Sequence, residues 1–263
     1  MTTVHDFARF KAEGRRIAIA TAYDAWSARL VAESTVDAIL VGDSVAMVVH
    51  GHATTVDATI GMMALHTRAV ARGAGGKLVI ADLPFLSFRR GLPAAMTAVG
   101  ALVKAGAHAV KLEGVDGHED VIRHIVQSGV PVMGHVGLTP QSINALGGFQ
   151  VQGRSDDDAS RILRQAGTLE ELGCFALVLE CVPADLAARV TVRAGLPTIG
   201  IGAGAAPDGQ VLVFHDLLGL STGKRPRFVR AYADGARVFK DALDAYAADV
   251  RSARFPGPGE SYS

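Results

Sequence analysis

The sequence predicts an α/β fold, a single-domain (β/α)8 TIM barrel in which each of about eight strands is followed by a helix or helical turn. Three observations predict it. Short apolar, branched runs alternate with longer amphipathic segments along the chain. Five of those runs close on Asp, Glu or His: AILVGDS (Ala38 to Ser44), LVIAD (Leu78 to Asp82), AVKLE (Ala109 to Glu113), VPVMGH (Val130 to His135) and FALVLE (Phe175 to Glu180). Finally, 263 residues, 49% of them hydrophobic, suit one such barrel, and no composition break marks a linker. In this fold every strand delivers its carboxyl end to the same face, so residues far apart in sequence line one mouth. A doubly wound open sheet is the competing architecture and would spread the same ends along a crevice.

Each element has a local reason. His5 to Glu13 reads as a short helix, and Ile17 to Tyr23 as the first strand. Asp24 caps a helix over Ala25 to Glu33. The strand Ala38 to Ser44 is too short for an ordinary helix and has no polar face until Gly42, where the backbone can turn. A loop, Val45 to Thr55, carries Met47, His50 and His52; Asp57 to Arg72 then has helical spacing and ends at a glycine cluster. Lys77 to Leu83 is the third strand, stopped by Pro84, and Pro93 opens a helix to Lys104. Strand Ala109 to Gly114, helix Glu119 to Gln127 and strand Val130 to Val136 follow. Leu138 to Ser155 is the longest polar, glycine-bearing loop, read as a substrate lid against the plainer alternative of a surface excursion. Asp156 to Leu172 is a helix with acids at its start, where they complement the dipole. Strand Phe175 to Val182, a helix from Pro183 to Arg193, strand Pro197 to Ile201, and an eighth strand at Val211 to His215 complete the barrel. A C-terminal helix over Arg230 to Val250 and an irregular tail, RFPGPGESYS, close residues 1–263 as one domain.

The totals exclude several function classes. A formal net charge of zero argues against a nucleic-acid or anionic-membrane footprint. The N-terminal MTTVHDFARFKAEGRR lacks an apolar signal region, and no apolar run is long enough to span a membrane, so a soluble cytoplasmic protein is expected. Two cysteines, Cys174 and Cys181, make neither a disulfide framework nor a zinc cluster and read as buried, reduced thiols.

The polar strand ends carry the chemistry. Asp43, Asp82 and Glu113 are hard oxygen donors on separate rigid strands, a set that suits Mg2+ better than zinc. Their alternative role is to pair with surface Lys or Arg or to cap the following helices. Lys111 lies two residues before Glu113 and so shares its face of the sheet. It suits binding of a substrate carboxylate or a Schiff base, with an internal salt bridge as the competing reading. Ser44 can donate to the same substrate carboxylate. His135 and Glu180 are the proton-transfer candidates; burial at a strand end raises a glutamate's pKa toward neutrality. An ordinary hydrogen-bonded core histidine is the alternative for His135. His50, His52 and His66 share no strand end and read as loop or helix residues. Gly200, Gly202 and Gly204 match neither a Walker loop nor a GxGxxG fingerprint, and read as a tight turn.

Eight ordered motifs carry a family resemblance: TAYDA (Thr21 to Ala25), LVGDS (Leu40 to Ser44), ADLPF (Ala81 to Phe85), VKLEG (Val110 to Gly114), GHVGLTPQS (Gly134 to Ser142), GGFQVQGR (Gly147 to Arg154), LVLECVP (Leu177 to Pro183) and IGIGAG (Ile199 to Gly204). Together they resemble the ketopantoate hydroxymethyltransferase family from about Thr21 to the tail. The loop after Ser44 reads VAM where the family pattern is nearer LGM, a departure that touches no residue assigned chemistry. The resemblance implies a (β/α)8 barrel that transfers a one-carbon unit from 5,10-methylenetetrahydrofolate to 3-methyl-2-oxobutanoate, with one Mg2+ per subunit. It implies Asp43, Asp82 and Glu113 around the metal, Glu113 acting through a water, and Asp43, Ser44, Asp82 and Lys111 on the keto acid. It also implies His135 lining the site, Glu180 as proton acceptor, and a large homo-oligomer, typically a decamer. Two rivals remain at this stage: another Mg2+-dependent keto-acid enzyme on the same barrel (an aldolase, lyase or phosphoenolpyruvate-type mutase), and a catalytically silent barrel serving as binder or scaffold.

Overall fold

A computed structural model describes residues 2–221, 223 and 225–262. The chain forms two compact units, Met1–Val213 and Phe214–Ser263. The first unit is a closed barrel of eight parallel strands in sequential order, β1 to β8, with β8 returning to β1. Helix α1 (Val4–Ala12) precedes β1 (Ile17–Thr21), and α2 (Ala25–Glu33) leads to β2 (Ala38–Val41). The short α3 (Val45–Val48) and the longer α4 (Ile60–Gly73) lead to β3 (Leu78–Asp82). Then come α5 (Leu92–Lys104), β4 (Ala109–Lys111), α6 (Glu119–Gln127) and β5 (Val132–Gly137). The segment after β5 contains a 3-10 turn, Pro140–Ser142, and α7 (Ile143–Leu146), then α8 (Asp156–Glu171). The unit closes with β6 (Ala176–Glu180), α9 (Ala184–Arg193), β7 (Thr198–Ile201) and β8 (Gly209–Leu212).

Inward-facing side chains at alternate positions fill the barrel. Ile17 and Ile19, Ala38 and Leu40, Leu78 and Ile80, Ala109, Met133, Ala176 and Val178, Ile199 and Val211 form one buried cluster. Phe7 and Phe10 of α1 belong to the same cluster, so the N-terminal helix plugs the amino end of the barrel. The capping chemistry follows the sequence: Asp24 accepts from the Ser27 amide at 2.7 Å, and Ser155 from the Asp158 amide at 3.2 Å.

The structure departs from the sequence expectation at the last crossover. The eighth strand is Gly209–Leu212 rather than Val211 to His215, and Phe214 and His215 begin a short helix in the second unit. The strand starts at Gly209 because that residue lies against the Ile17 backbone, where any Cβ would collide. No helix separates β7 from β8; residues 202–208 make the connection alone. Asp208 anchors it, its Oδ2 accepting from the Thr198 amide (2.8 Å), the Thr198 hydroxyl (3.0 Å) and Lys11 (2.8 Å). Val45 to Thr55, read as loop, holds α3, and the Leu138 to Ser155 segment holds a turn and α7 rather than unbroken loop.

The second unit comprises α10 (Phe214–Leu217), α11 (Gly235–Arg251) and a 3-10 turn at Pro258–Glu260. The expected C-terminal helix therefore begins five residues later than Arg230. Within this unit the Tyr232 amide donates to the Leu217 carbonyl at 2.8 Å, and Tyr246 stacks edge-on against Phe255. Among the described residues no helix is long and apolar enough to cross a membrane.

Candidate active site

The alternation that fills the barrel also builds the site. On β3 the inward positions run Leu78, Ile80, Asp82; on β4 and just beyond, Ala109, Lys111, Glu113; on β5, Met133, His135; on β6, Ala176, Val178, Glu180. Each strand thus changes from apolar to ionisable as it reaches its carboxyl end, the face where barrel enzymes place their chemistry. Asp43 arrives differently, after the turn at Gly42, where a Cβ would meet the Ser44 hydroxyl at 2.8 Å.

All the sequence-predicted acids, the lysine and the histidine come together. Lys111 Nζ lies 2.8 Å from Asp82 Oδ1 and 3.9 Å from Glu113 Oε1. The Asp43 amide donates to Asp82 Oδ2 at 3.0 Å. His135 lies between two acids, Nδ1 at 3.6 Å from Glu113 Oε1 and Nε2 at 3.4 Å from Glu180 Oε2. Asp43, Asp82, Lys111, Glu113 and His135 are all buried, whereas the Glu180 side chain keeps 16% of its surface accessible, so it borders the opening. Ser44 sits beside this group and shares a 2.8 Å hydrogen bond with the Tyr23 hydroxyl.

Burial on this scale perturbs Asp43, Lys111, Glu113, His135 and Glu180. Burial and the neighbouring Asp82 charge push Asp43 up to about 7, against the pull of Lys111 and Gln141. Glu113 is raised well above the ordinary value by burial and by Asp43. Burial, opposed by Lys111, pushes Glu180 up to about 8. Burial works against the Lys111 ammonium, but Asp82, Glu113 and Asp43 outweigh it and its pKa stands above the usual lysine value. His135 is driven well down by burial and by Lys111, so the imidazole is neutral. Among the described residues, four acids therefore gather around one buried cation, Lys111. A divalent cation fits this donor set: hard oxygens only, with excess negative charge that burial otherwise forces toward protonation. Among the described residues no three His, Cys, Asp or Glu side chains already stand as a coordination shell. Protein donors occupy several of the oxygens instead.

Sequence reasoning missed one of those donors. Gln141, on the 3-10 turn after β5, is buried; its Nε2 donates to Asp43 Oδ2 at 2.7 Å and to the Leu83 carbonyl at 2.9 Å, and its amide donates to Glu113 Oε2 at 2.9 Å. Nothing in TPQS distinguishes a buried glutamine from an ordinary loop residue. Tyr23 was also missed, although it lies at the carboxyl end of the first strand, in TAYDA. His50 and His66 do lie off the strand ends; their Nε2 atoms pair at 2.8 Å and His66 Nδ1 meets the Tyr23 carbonyl. Both cysteines are free; Cys174 is buried as expected, whereas Cys181 is only half-buried, and burial pushes both thiols up to about 12, with Glu180 adding to the shift of Cys181. The glycines Gly202 and Gly204 adopt left-handed conformations in the β7–β8 turn.

Comparison with known proteins identifies the family. The family model for ketopantoate hydroxymethyltransferase matches residues 1–258. The chain is 55% identical to the 3-methyl-2-oxobutanoate hydroxymethyltransferase of Bdellovibrio bacteriovorus, over 100% of both chains. It is 52% identical to that of Legionella pneumophila strain Paris, over 98% of this chain and 99% of the relative. Solved structures of lower identity share the fold: phosphonopyruvate hydrolase complexed with oxalate and Mg2+ superposes with a TM-score of 0.64 at 14% identity, covering 99% of this chain and 93% of that one. For 2,3-dimethylmalate lyase, of the phosphoenolpyruvate mutase/isocitrate lyase superfamily, the TM-score is 0.58 at 17% identity, covering 98% and 90%. A full-length family match and relatives above half identity place the chain, a transferase, in the ketopantoate hydroxymethyltransferase family.

Proposed function

We propose that the protein transfers a hydroxymethyl group from 5,10-methylenetetrahydrofolate to 3-methyl-2-oxobutanoate, giving 2-dehydropantoate and tetrahydrofolate, in the pathway to pantothenate. The observation that carries this reading is the convergence of Asp43, Asp82, Lys111, Glu113, His135 and Glu180 at the carboxyl end of the barrel. Asp43, Asp82 and Glu113 would hold one Mg2+ per subunit, Glu113 through a water. Bound there, Mg2+ would polarise the keto group and acidify the adjacent C3–H. The buried Lys111 ammonium and the Ser44 hydroxyl supply donors for the substrate carboxylate, and Asp43 and Asp82 border the same substrate. Glu180 is the proton acceptor. Its raised pKa brings it near working pH, where a general base is most effective. Neutral His135 lines the site between Glu113 and Glu180. The C–H bond at C3 breaks with its proton passing to Glu180, a C–C bond to the folate methylene carbon forms as one of that carbon's two C–N bonds breaks, and water replaces the second C–N bond with the hydroxyl, the substrate's proton and one from water ending on the two nitrogens of the departing tetrahydrofolate. The residues Leu138 to Ser155 would cover the site. We further propose a cytoplasmic homo-oligomer, a decamer by family, in which residues 1–263 act as one domain and bind neither nucleic acid nor membrane.

The test is proton NMR of 3-methyl-2-oxobutanoate in D2O with enzyme and Mg2+, with and without the folate, and with EDTA. Metal-dependent loss of the C3 proton signal, and product signals only with the folate, are expected. Folded protein that gives neither exchange nor product would overturn the assignment.

A further inference from the structure

The bonds of Gln141 reach beyond its own loop. Its carboxamide NH2 serves two acceptors on different strand ends, Asp43 Oδ2 after β2 and the Leu83 carbonyl after β3. Because the Leu83 carbonyl can only accept, the group that faces it is the NH2 of the carboxamide. Its backbone amide serves a third strand end, Glu113 Oε2 after β4. The residue itself lies on the Pro140–Ser142 turn, the first structured piece of the segment 138–155. Downstream residues Asn144, Ala145, Phe149 and Gln150 are exposed, while Gln141 is buried. Gln141 is therefore the buried polar side chain of the covering segment, and it binds two of the acids.

We propose that Gln141 is a positioning residue that ties the β5–α8 segment to Asp43 and Glu113, so that the acid cluster is assembled only while this turn is docked. Its two bonds go to one oxygen of each acid, Oδ2 of Asp43 and Oε2 of Glu113, while Glu113 Oε1 faces Lys111 at 3.9 Å and His135 at 3.6 Å. Removing the carboxamide frees the Asp43 carboxylate to rotate and frees the turn to lift. Gln141 touches no reacting atom; it acts through Asp43 and Glu113. The kinetic part of this inference rests on the function proposed above, whereas the structural part does not.

Gln141→Met keeps the side chain's length and removes both side-chain donors. Two measurements on the full chain decide the proposal. The first is amide hydrogen exchange of ligand-free protein. Peptides within 138–155 should exchange about tenfold faster or more in Q141M, with peptides from α5 and α9 unchanged. The second is the Mg2+ and keto-acid dependence of C3 proton exchange. The half-saturating Mg2+ and the KM should each rise about tenfold or more, while kcat at saturation of both changes less. A residue important only for packing would lower Tm and leave these constants and the loop's exchange at wild-type values, and that outcome overturns the proposal. Faster loop exchange with unchanged Mg2+ and substrate dependence overturns it as well. If Q141M does not fold, Gln141→Asn, which withdraws the amide by one methylene, is read the same way. If wild-type protein shows no C3 exchange, the functional reading fails, and isothermal titration of Mg2+ into both proteins together with loop exchange decides Gln141.

Discussion

Gly137 and Glu180 stand in register across β5 and β6, and a Cβ on Gly137 would run into the Glu180 carbonyl oxygen. Gly137 also has a φ of +94°, in the left-handed region that penalises any side chain. The bare α-carbon lets β5 approach the very residue assigned as base. The Leu138 amide then donates to that same Glu180 carbonyl at 2.8 Å. Gly137→Ala should therefore cost about 2–3 kcal/mol in urea unfolding and slow C3 exchange by displacing Glu180. Wild-type stability in this variant would mean that the strands separate at no cost.

Lys111 and Asp82 face each other in register on β4 and β3 and pair at 2.8 Å with almost no accessible surface. Breaking a buried pair leaves its partner charged and unsolvated. Lys111→Met should lose about 3–5 kcal/mol at neutral pH, measured by denaturant titration without metal. Adding Asp82→Asn to that variant should restore part of the loss, and additive losses in the double variant would contradict the coupling.

Glu180→Gln keeps size and hydrogen-bonding reach but cannot accept a proton. The C3 exchange rate should fall by about 10²–10⁴. Keto-acid binding, followed by isothermal titration in the presence of Mg2+, should stay close to wild type. Exchange at the wild-type rate would transfer the base role away from Glu180.

The raised pKa of Glu180 also makes a stability prediction for metal-free protein. Folding lifts the group from 4.5 to about 8, so the folded state holds the proton more tightly than the unfolded state. The corresponding stabilisation is complete below about 4.5 and disappears as pH rises through about 8. Asp43, raised to about 7, acts in the same direction. In EDTA, the melting temperature of Glu180→Gln relative to wild type should therefore climb between pH 5 and pH 9. A gap that is flat or shrinks across that range would contradict the burial of Glu180.

The amino-acid sequence by itself determined the barrel and most of its mouth. Strand periodicity of two places Asp82, Lys111, Glu113, His135 and Glu180 on the inward face as soon as the preceding apolar positions are assigned there. Helix starts at Ala25 and Asp156 and the span Glu119–Gln127 were readable from caps, acids and amphipathic spacing. Tertiary structure alone decided the rest. The eighth strand begins at a glycine, which has no side chain to signal burial, and its position depends on a backbone contact with Ile17 some 190 residues away. Gln141 looks like loop chemistry until the barrel closes and brings Asp43, Leu83 and Glu113 around it. Periodicity reports which face a residue occupies. Only packing among non-adjacent strands determines which polar groups share an oxygen, and those shared oxygens set the charge balance of the site.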